Sequence, residues 1–337
     1  MKKALLISVF AVAAALSLQA QDIHFSQFFF APAWLNPAET GHFDAQYRAT
    51  ANQRTQWREV AQPYTTFALA ADGRPDFLPE NFSVGAAIMN DRAGDARFNT
   101  FTLLLGGAYR YAFKNDDRHS LRGGVQMGLS QVSLDPEALR FDNQFDGAAF
   151  DPNRPTGENF ARNSRVHANV NLGLAYTFDY ARGKSLTGGW AGHNLTRPDR
   201  SFFNDTGVNL PARHTFYLRG AWNLRPDIDL LPALSYMRQG TFSEVLAGGA
   251  VRYTLLNERS MYRAVFAGWF GRFGDSGIGL AGMEIDDWRV GVSYDVNLSN
   301  LQVASRNRGG FEFSVQYLFN RTPQNSGFMH RYCPRYI

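Results

Sequence analysis

The sequence contains a single cysteine, Cys333, among 337 residues. One cysteine excludes an internal disulfide and a cysteine-rich metal site, so the fold must be stable without either. The formal net charge is only +4 at pH 7, which gives no reason to expect a nucleic-acid partner. After the first twenty residues no apolar run reaches the roughly 18 residues that a membrane-spanning helix needs.

Lysine is also scarce, because Lys2, Lys3, Lys114 and Lys184 stand against 30 arginines. Arginine makes planar, multidentate hydrogen bonds that suit a crowded polar interior such as a barrel lumen. A bias in codon usage explains the same excess, and the sequence leaves both explanations open.

Motifs for chemistry are missing as well. The seven histidines form no helical i, i+4 pair and no Cys/His zinc pattern. GDSG at 274–277 falls where a turn is predicted, and GIGLAG at 277–282 falls in a predicted strand, so neither motif has the context that its chemistry requires. We therefore expect no cofactor, no metal and no enzymatic activity. The alternative is an enzyme whose catalytic residues come from distant strands.

Residues 1–20 have the composition of a signal peptide. Lys2 and Lys3 precede an apolar stretch at 4–18, and Ala20 supplies a small residue for cleavage before Gln21. This pattern predicts export from the cytoplasm.

Residues 166–178 alternate between a more apolar face and a polar or small one. Period-two alternation is typical of a β-strand, and this one is longer than the usual strand of about 5–6 residues. The pattern recurs at 101–113, 121–129, 288–298 and 311–319.

Fourteen strands are predicted between residues 43 and 319, the first near 43–52. In hydrocarbon every backbone polar group must be bonded within the protein, so strands can span only as a closed barrel. The sequence thus predicts an all-β, transmembrane antiparallel β-barrel of about 14 strands in the outer membrane of a Gram-negative bacterium.

The connections predicted for one end of this barrel are long, near 133–165, 194–211 and 299–309, whereas those at the other end are short. Two further segments lie outside the strands. Residues 21–42 and the tail at 320–337 are expected to face the periplasm or to fold into the lumen.

Several stretches exceed what a barrel requires: FSQFFFAPAWLNPAETG at 25–41, NQRTQW at 52–57, MNDRAGD at 89–95, FDNQFDG at 141–147, GHNLTRPDRSF at 192–202 and GVSYDVNLSNLQVASRNRGGFEFSVQY at 291–317. Together and in this order, they resemble the PorP/SprF family of type IX secretion proteins. The C-terminal CPRY at 333–336 is similar to the family as well.

The resemblance implies a non-enzymatic outer-membrane component of the type IX secretion machinery. Its expected partners are periplasmic ring lipoproteins, a secreted protein with a C-terminal sorting domain such as a gliding adhesin, or both, besides the membrane lipid itself. The chief alternative is a general porin or small-solute channel on the same fold. A secreted β-sandwich adhesin agrees less well with the strand length.

The motifs of the resemblance map to the extracellular rim or the upper lumen of the predicted barrel. We expect a polar collar there that docks a secreted partner or else locks the loops over the lumen through its own hydrogen bonds. The candidate residues of this collar are Arg54, Trp57, Arg92, Asp142, Arg197, Asp295, Asn297 and Arg306.

Overall fold

A computed structural model describes residues 22–56, 62–94, 96–113, 116, 118–158, 160–181, 183–203, 208–258, 261–299 and 307–319. The predicted signal peptide, the C-terminal tail with Cys333, and the candidates Trp57 and Arg306 lie outside these residues. Within the described part, no helix has the length and apolar character needed to cross a membrane.

The described chain is built mainly of fourteen strands. In chain order they are β1 Tyr47–Gln56, β2 Tyr64–Gly73, β3 Phe82–Ala93, β4 Phe98–Ala112, β5 His119–Ser133, β6 Ser164–Ala181, β7 Lys184–His193, β8 Arg213–Arg225, β9 Ile228–Gln239, β10 Phe242–Asn257, β11 Tyr262–Arg272, β12 Ser276–Ile285, β13 Trp288–Asn297 and β14 Arg308–Phe319.

Each strand pairs antiparallel with its neighbours in sequence, and β1 pairs with β14 to close the sheet into a barrel. Ala51 lies opposite Val315 at this seam. Closure removes free sheet edges, so the backbone groups of the strands find partners within the wall. The prediction of a 14-stranded antiparallel barrel is confirmed.

The first strand begins four residues later than predicted, at Tyr47 rather than near residue 43. The guanidinium of Arg48 lies 4.4 Å from the centre of the Phe43 ring, and the backbone N–H of Gln46 donates to the carbonyl of Phe319. Residues before Tyr47 therefore follow the interior of the barrel, and the chain joins the wall only where it meets the end of β14.

The two faces of the wall have opposite character, as β4 illustrates. Its outward side chains include Leu103 and Leu105, which are exposed, whereas the inward Thr100 and Thr102 are buried. Apolar side chains on the outside suit lipid, and the polar side chains inside must find partners because they are shielded from water. Alternation along each strand produces both surfaces at once.

The connections differ in length between the two ends of the barrel. The three longest, at 134–163, 194–212 and 298–307, lie at one end, which we call the long-loop end. Connections at the opposite short-turn end include the two-residue links at 226–227 and 286–287. This asymmetry is typical of outer-membrane barrels, in which the longer loops are extracellular.

Candidate functional site in the barrel lumen

The N-terminal residues 22–43, which we call the luminal segment, run through the interior of the barrel. At the long-loop end the backbone N–H of Asp22 donates to Gln239, and Asn194 donates to the Asp22 carboxylate. At the short-turn end the backbone N–H of Gly41 donates to Asp72. The sequence left this segment either facing the periplasm or folded into the lumen; it lies in the lumen and reaches the opposite end.

Short helical turns fold the luminal segment into a compact chain. A 3-10 turn at Phe28–Phe30 is followed by the one-turn helix α1, Pro32–Leu35, and a second 3-10 turn at Pro37–Glu39. Proline begins each of the last two turns because its fixed φ suits the first helical position. The Asn36 side chain accepts from the Ala38 backbone N–H and so caps the second turn.

Three consecutive phenylalanines anchor the luminal segment to the wall. The Phe29 ring centre lies 5.7 Å from that of Phe270 and the Phe30 ring centre 6.1 Å from that of Phe266, both on β11. All three phenylalanines are buried, Phe30 completely. Full burial of one such side chain contributes roughly 1.5–3 kcal/mol, so this cluster supplies much of the adhesion.

Glycines in the wall leave room for the luminal segment. A methyl group added at Gly124 on β5 would overlap the backbone of Pro37, and one at Gly173 on β6 would overlap the Asn36 side chain. Asn36 also donates to the backbone carbonyls of Leu174 and Trp190. The luminal segment thus approaches the wall more closely than any side chain at these two positions would allow.

A buried ionic cluster holds the segment near the long-loop end. It comprises Arg54 on β1, Arg272 on β11, Asp295 on β13 and Glu312 on β14, and we call it the Arg54 cluster. Arg54 lies 2.9 Å from Asp295 and 3.0 Å from Glu312, and Arg272 lies 3.0 Å from Asp295. Every member is at most 6% exposed. The first strand and three strands near the end of the chain therefore meet through these charges.

Ser26 of the luminal segment completes the Arg54 cluster. Its backbone N–H donates to Glu312 at 2.7 Å, its hydroxyl donates to Asp295 at 2.9 Å, and that hydroxyl accepts from Arg272 at 2.9 Å and also from Arg54. The next backbone N–H, of Gln27, donates to Glu312 at 3.0 Å. Charge-assisted hydrogen bonds of this kind are about twice as strong as neutral ones.

Glu39 forms a second buried ionic contact nearer the short-turn end. Its carboxylate lies 2.5 Å from Arg219 on β8 and 3.0 Å from His42, and it accepts from the Tyr217 hydroxyl. A buried carboxylate is costly unless it is paired and hydrogen-bonded. Glu39 meets both conditions only with the segment seated in the lumen, so the contact fixes the depth of the segment.

Arginine and glutamine side chains of the wall also bind backbone carbonyls of the segment. Arg213 donates to the carbonyls of Ile23 and Trp34 at 2.9 and 3.2 Å, and Gln126 donates to that of Ala33 at 3.1 Å. These bonds satisfy carbonyls that the short helical turns leave free. The luminal arginines thus act as hydrogen-bond donors to irregular backbone.

Outside the lumen, the described residues of the two longest connections join into one surface, which we call the loop platform, residues 134–158, 160–163, 194–203 and 208–212. The backbone N–H of Ala161 donates to the Phe202 carbonyl at 3.1 Å, and the rings of Phe160 and Phe203 stack with centres 5.0 Å apart. Arg165 forms an ion pair with Asp199 at 2.8 Å. The platform therefore has its own internal contacts and presents a defined surface.

One carboxylate of the platform shapes its tip. The backbone N–H groups of Ala149 and Ala148 donate to Asp146 at 2.7 and 2.8 Å. These bonds favour the ionised form and lower the pKa of the Asp146 carboxyl. The neighbouring Phe145 side chain is 54% exposed, which leaves an aromatic ring in solvent beside a fixed negative charge.

The structure brings together only some of the predicted collar residues. Arg54 and Asp295 form one ion pair, and Asn297 follows on the same inward face of β13, where it donates to the Arg308 carbonyl at 3.2 Å. Arg92 is exposed on the outward side of β3, and Asp142 and Arg197 are exposed on the loop platform. The last three are thus separate from the luminal cluster.

Sequence reasoning missed Ser26, Glu39, Arg272 and Glu312. Glu312 sits at a polar position of the alternating run FEFSVQ, and Ser26 lies in the FSQF element. A charge at an inward position of a predicted strand signals a buried partner, but the strand pattern alone does not identify it. Among the described residues, no group of three or more His, Cys, Asp or Glu side chains could hold a metal ion.

Solved structures with a similar fold include the toluene transporter TbuX of Ralstonia pickettii, at 11% identity over 86% of this chain and 94% of that one, with a TM-score of 0.49. The monoaromatic hydrocarbon channel CymD is 9% identical over 90% of this chain and 94% of its own, with a TM-score of 0.48. Because these similarities are weak, they do not indicate what passes through this barrel. A search of curated proteins gives no match.

The family model for the type IX secretion system membrane protein PorP/SprF matches residues 17–317, which is most of the chain. The match agrees with a closed barrel whose outer surface is apolar, the architecture by which bacterial proteins span the outer membrane. This chain is therefore an outer-membrane barrel and belongs to the PorP/SprF family of type IX secretion system membrane proteins.

Proposed function

We propose that this barrel supports the secretion or surface anchoring of partner proteins, which it engages through the loop platform at the long-loop end. The partner class is a secreted protein with a C-terminal sorting domain, a gliding adhesin among the candidates. On this proposal the barrel is a membrane-embedded binding site for the partner within the type IX machinery, and no polypeptide crosses its lumen.

The observation that carries the proposal is the occupied lumen. The luminal segment is bonded to the wall near both ends, through the Arg54 cluster and through Gly41 with Asp72, and between them through Glu39 with Arg219. Packed phenylalanines fill the space between these contacts. A filled lumen favours partner binding at the surface over transport through the barrel, and it argues against the alternative of a general porin.

The composition of the loop platform supports the docking role. Phe145 and Val208 are each 54% exposed and Phe203 is 38% exposed, beside the exposed charges of Asp142 and Arg197. Aromatic and arginine side chains are enriched in protein–protein contacts because each supplies a large contact area or several hydrogen bonds.

At the short-turn end, we propose contact with the periplasmic ring lipoproteins of the machinery. The long-loop end is extracellular if the barrel follows the general rule for loop length, so the short turns face the periplasm. The short-turn connection at 74–81 includes Phe77, which is 82% exposed and offers an apolar contact there.

The first experiment is a pull-down of the native protein from detergent-solubilised membranes, with its partners identified by mass spectrometry. Recovery of one large surface protein with a C-terminal sorting domain supports a dedicated docking role. Recovery of ring lipoproteins and motor components instead indicates a core component. In the same preparation D142A/R197A, which alters only exposed platform charges, is expected to reduce capture of the surface protein while the barrel still assembles.

A conductance measurement in planar bilayers tests the porin alternative directly. We expect the full-length protein to show no stable open channel, because its lumen is occupied. Large, steady conductance, together with the absence of any co-purifying protein, would contradict the docking proposal.

A further inference from the structure

One pair of side chains on the outer surface of the barrel has no role in the contacts described so far. His214 on β8 and Arg238 on β9 are direct cross-strand partners. Their chain neighbours Arg213, Thr215, Met237 and Gln239 are buried and point inward, whereas Arg238 is exposed and His214 half-buried. The pair therefore points outward, toward lipid or its headgroups.

The position of the pair along the barrel axis is set by the apolar band. Between the pair and the short-turn end, the outward side chains of β8 include Phe216, Leu218 and Leu224, which are all exposed. Arg238 lies ten residues along β9 from Ile228, the outward residue with which the strand begins at the short-turn end. At about 3.3 Å per residue and a tilt of about 40°, this distance rises about 25 Å, the height of the apolar band in such barrels.

The pair consequently lies at the headgroup boundary of the leaflet on the long-loop side. Trp190 on β7 stacks over the His214 ring, with centres 6.1 Å apart and planes 17° apart. Tryptophan at this boundary is common because its ring is apolar and its N–H is polar. The stacking also sets the plane of the imidazole ring.

In the part of the chain that the structure describes, no carboxylate pairs with His214 or Arg238. Their outward neighbour on β10 is the neutral Ser243, and the adjacent Glu244 points inward to His24 and Arg272. Two donor groups directly opposite each other favour a shared anion, since one phosphate can accept hydrogen bonds from both.

We propose that His214 and Arg238 bind the phosphate of a phosphorylated glycolipid headgroup in the outer leaflet of the membrane. The planar guanidinium matches two phosphate oxygens, and the imidazole N–H supplies a further donor. The acyl chains of such a lipid would lie along the apolar side chains of Phe216, Leu218 and Leu234 below the pair. The site thus fixes one lipid against the wall at β8 and β9.

The test uses the full-length protein in detergent, titrated with the phosphorylated disaccharide lipid of the outer leaflet and with the same lipid after enzymatic removal of its phosphates. Binding is followed by the shift of the thermal unfolding midpoint and by tryptophan fluorescence, to which Trp190 contributes. We expect the phosphorylated lipid to bind at least about tenfold more tightly, as the loss of one charge-assisted hydrogen bond predicts.

R238A is expected to remove this preference, and R238K to keep part of it, because lysine retains the charge but not the planar fork. R263A is the matched control, since Arg263 is an exposed outward arginine near the short-turn end of β11. Equal binding of both lipids by the native protein, or an unchanged preference in a folded R238A barrel, overturns the proposal. Competition by inorganic phosphate at millimolar concentration also overturns it, because the site would then hold free phosphate rather than a lipid.

Discussion

Replacement of Arg54 by alanine tests whether the Arg54 cluster stabilises the barrel. The side chain is 1% exposed and lies within 3.0 Å of two carboxylates. In the variant Asp295 keeps its ion pair with Arg272, whereas Glu312 loses its only ion pair among the described residues and keeps the backbone N–H groups of Ser26 and Gln27. Removing one partner of a buried pair costs about 3–5 kcal/mol, and the remaining donors favour the lower end, about 3 kcal/mol.

The expected loss is measured by urea-induced unfolding in lipid vesicles, followed by tryptophan fluorescence. R97A provides the control, because Arg97 is 79% exposed and its pair with Asp135 spans 3.4 Å. Exposed pairs of this kind contribute about 0–1 kcal/mol. The double variant R54A/E312Q should recover part of the loss relative to R54A, since it removes the carboxylate that the single change leaves unpaired.

Limited proteolysis reports on the luminal segment in the same samples. If R54A weakens the bonds of Ser26, cleavage within residues 22–43 should become faster while the strands stay protected. Unfolding and cleavage of R54A that match those of R97A would refute the reasoning, because the cluster would then contribute no more than a surface ion pair.

Three further predictions concern the lumen and the platform. G124A should destabilise the barrel by about 1–3 kcal/mol, because the added methyl group overlaps the luminal segment. G123A, on the opposite face of the same strand, should leave the stability unchanged. Equal unfolding midpoints for the two variants would contradict the close approach of the luminal segment to Gly124. Deletion of residues 22–43 should convert a non-conducting barrel into a channel in planar bilayers. F145S on the platform should reduce capture of the secreted partner in pull-downs, and F77S, at the short-turn end, should leave it unchanged.

The barrel could be predicted from sequence because its strands are long and its environment is strict. Lipid outside and a polar lumen inside force period-two alternation, and 166–178 shows it with both faces readable. Loop lengths then separated the two ends. The start of β1 was misplaced because the chain before Tyr47 is not yet part of the wall, and the Phe43 ring packs on the inward-pointing Arg48.

The site was harder to predict because its members are far apart in the chain. Arg54, Asp295 and Ser26 meet only after fourteen strands have closed, and no spacing rule connects them. The resemblance to the PorP/SprF family singled out the sequence stretches that contain these residues, but it does not indicate what the residues contact. The aromatic run at 28–30 looks like an ordinary apolar segment, and its location in the lumen follows from packing against β11.

The luminal segment and the closure of the barrel are energetically coupled. Ser26 contacts Arg54 on the first strand and Glu312 on the last, across a sequence separation of 286 residues for the latter. Contacts of such separation form only after the chain has lost the entropy of closing the ring. The segment therefore stabilises the β1–β14 seam as well as filling the lumen. A polypeptide that enters from either end can replace the luminal segment without loss of barrel stability only by offering equivalent donors. These are two backbone N–H groups to Glu312 and a hydroxyl to Asp295.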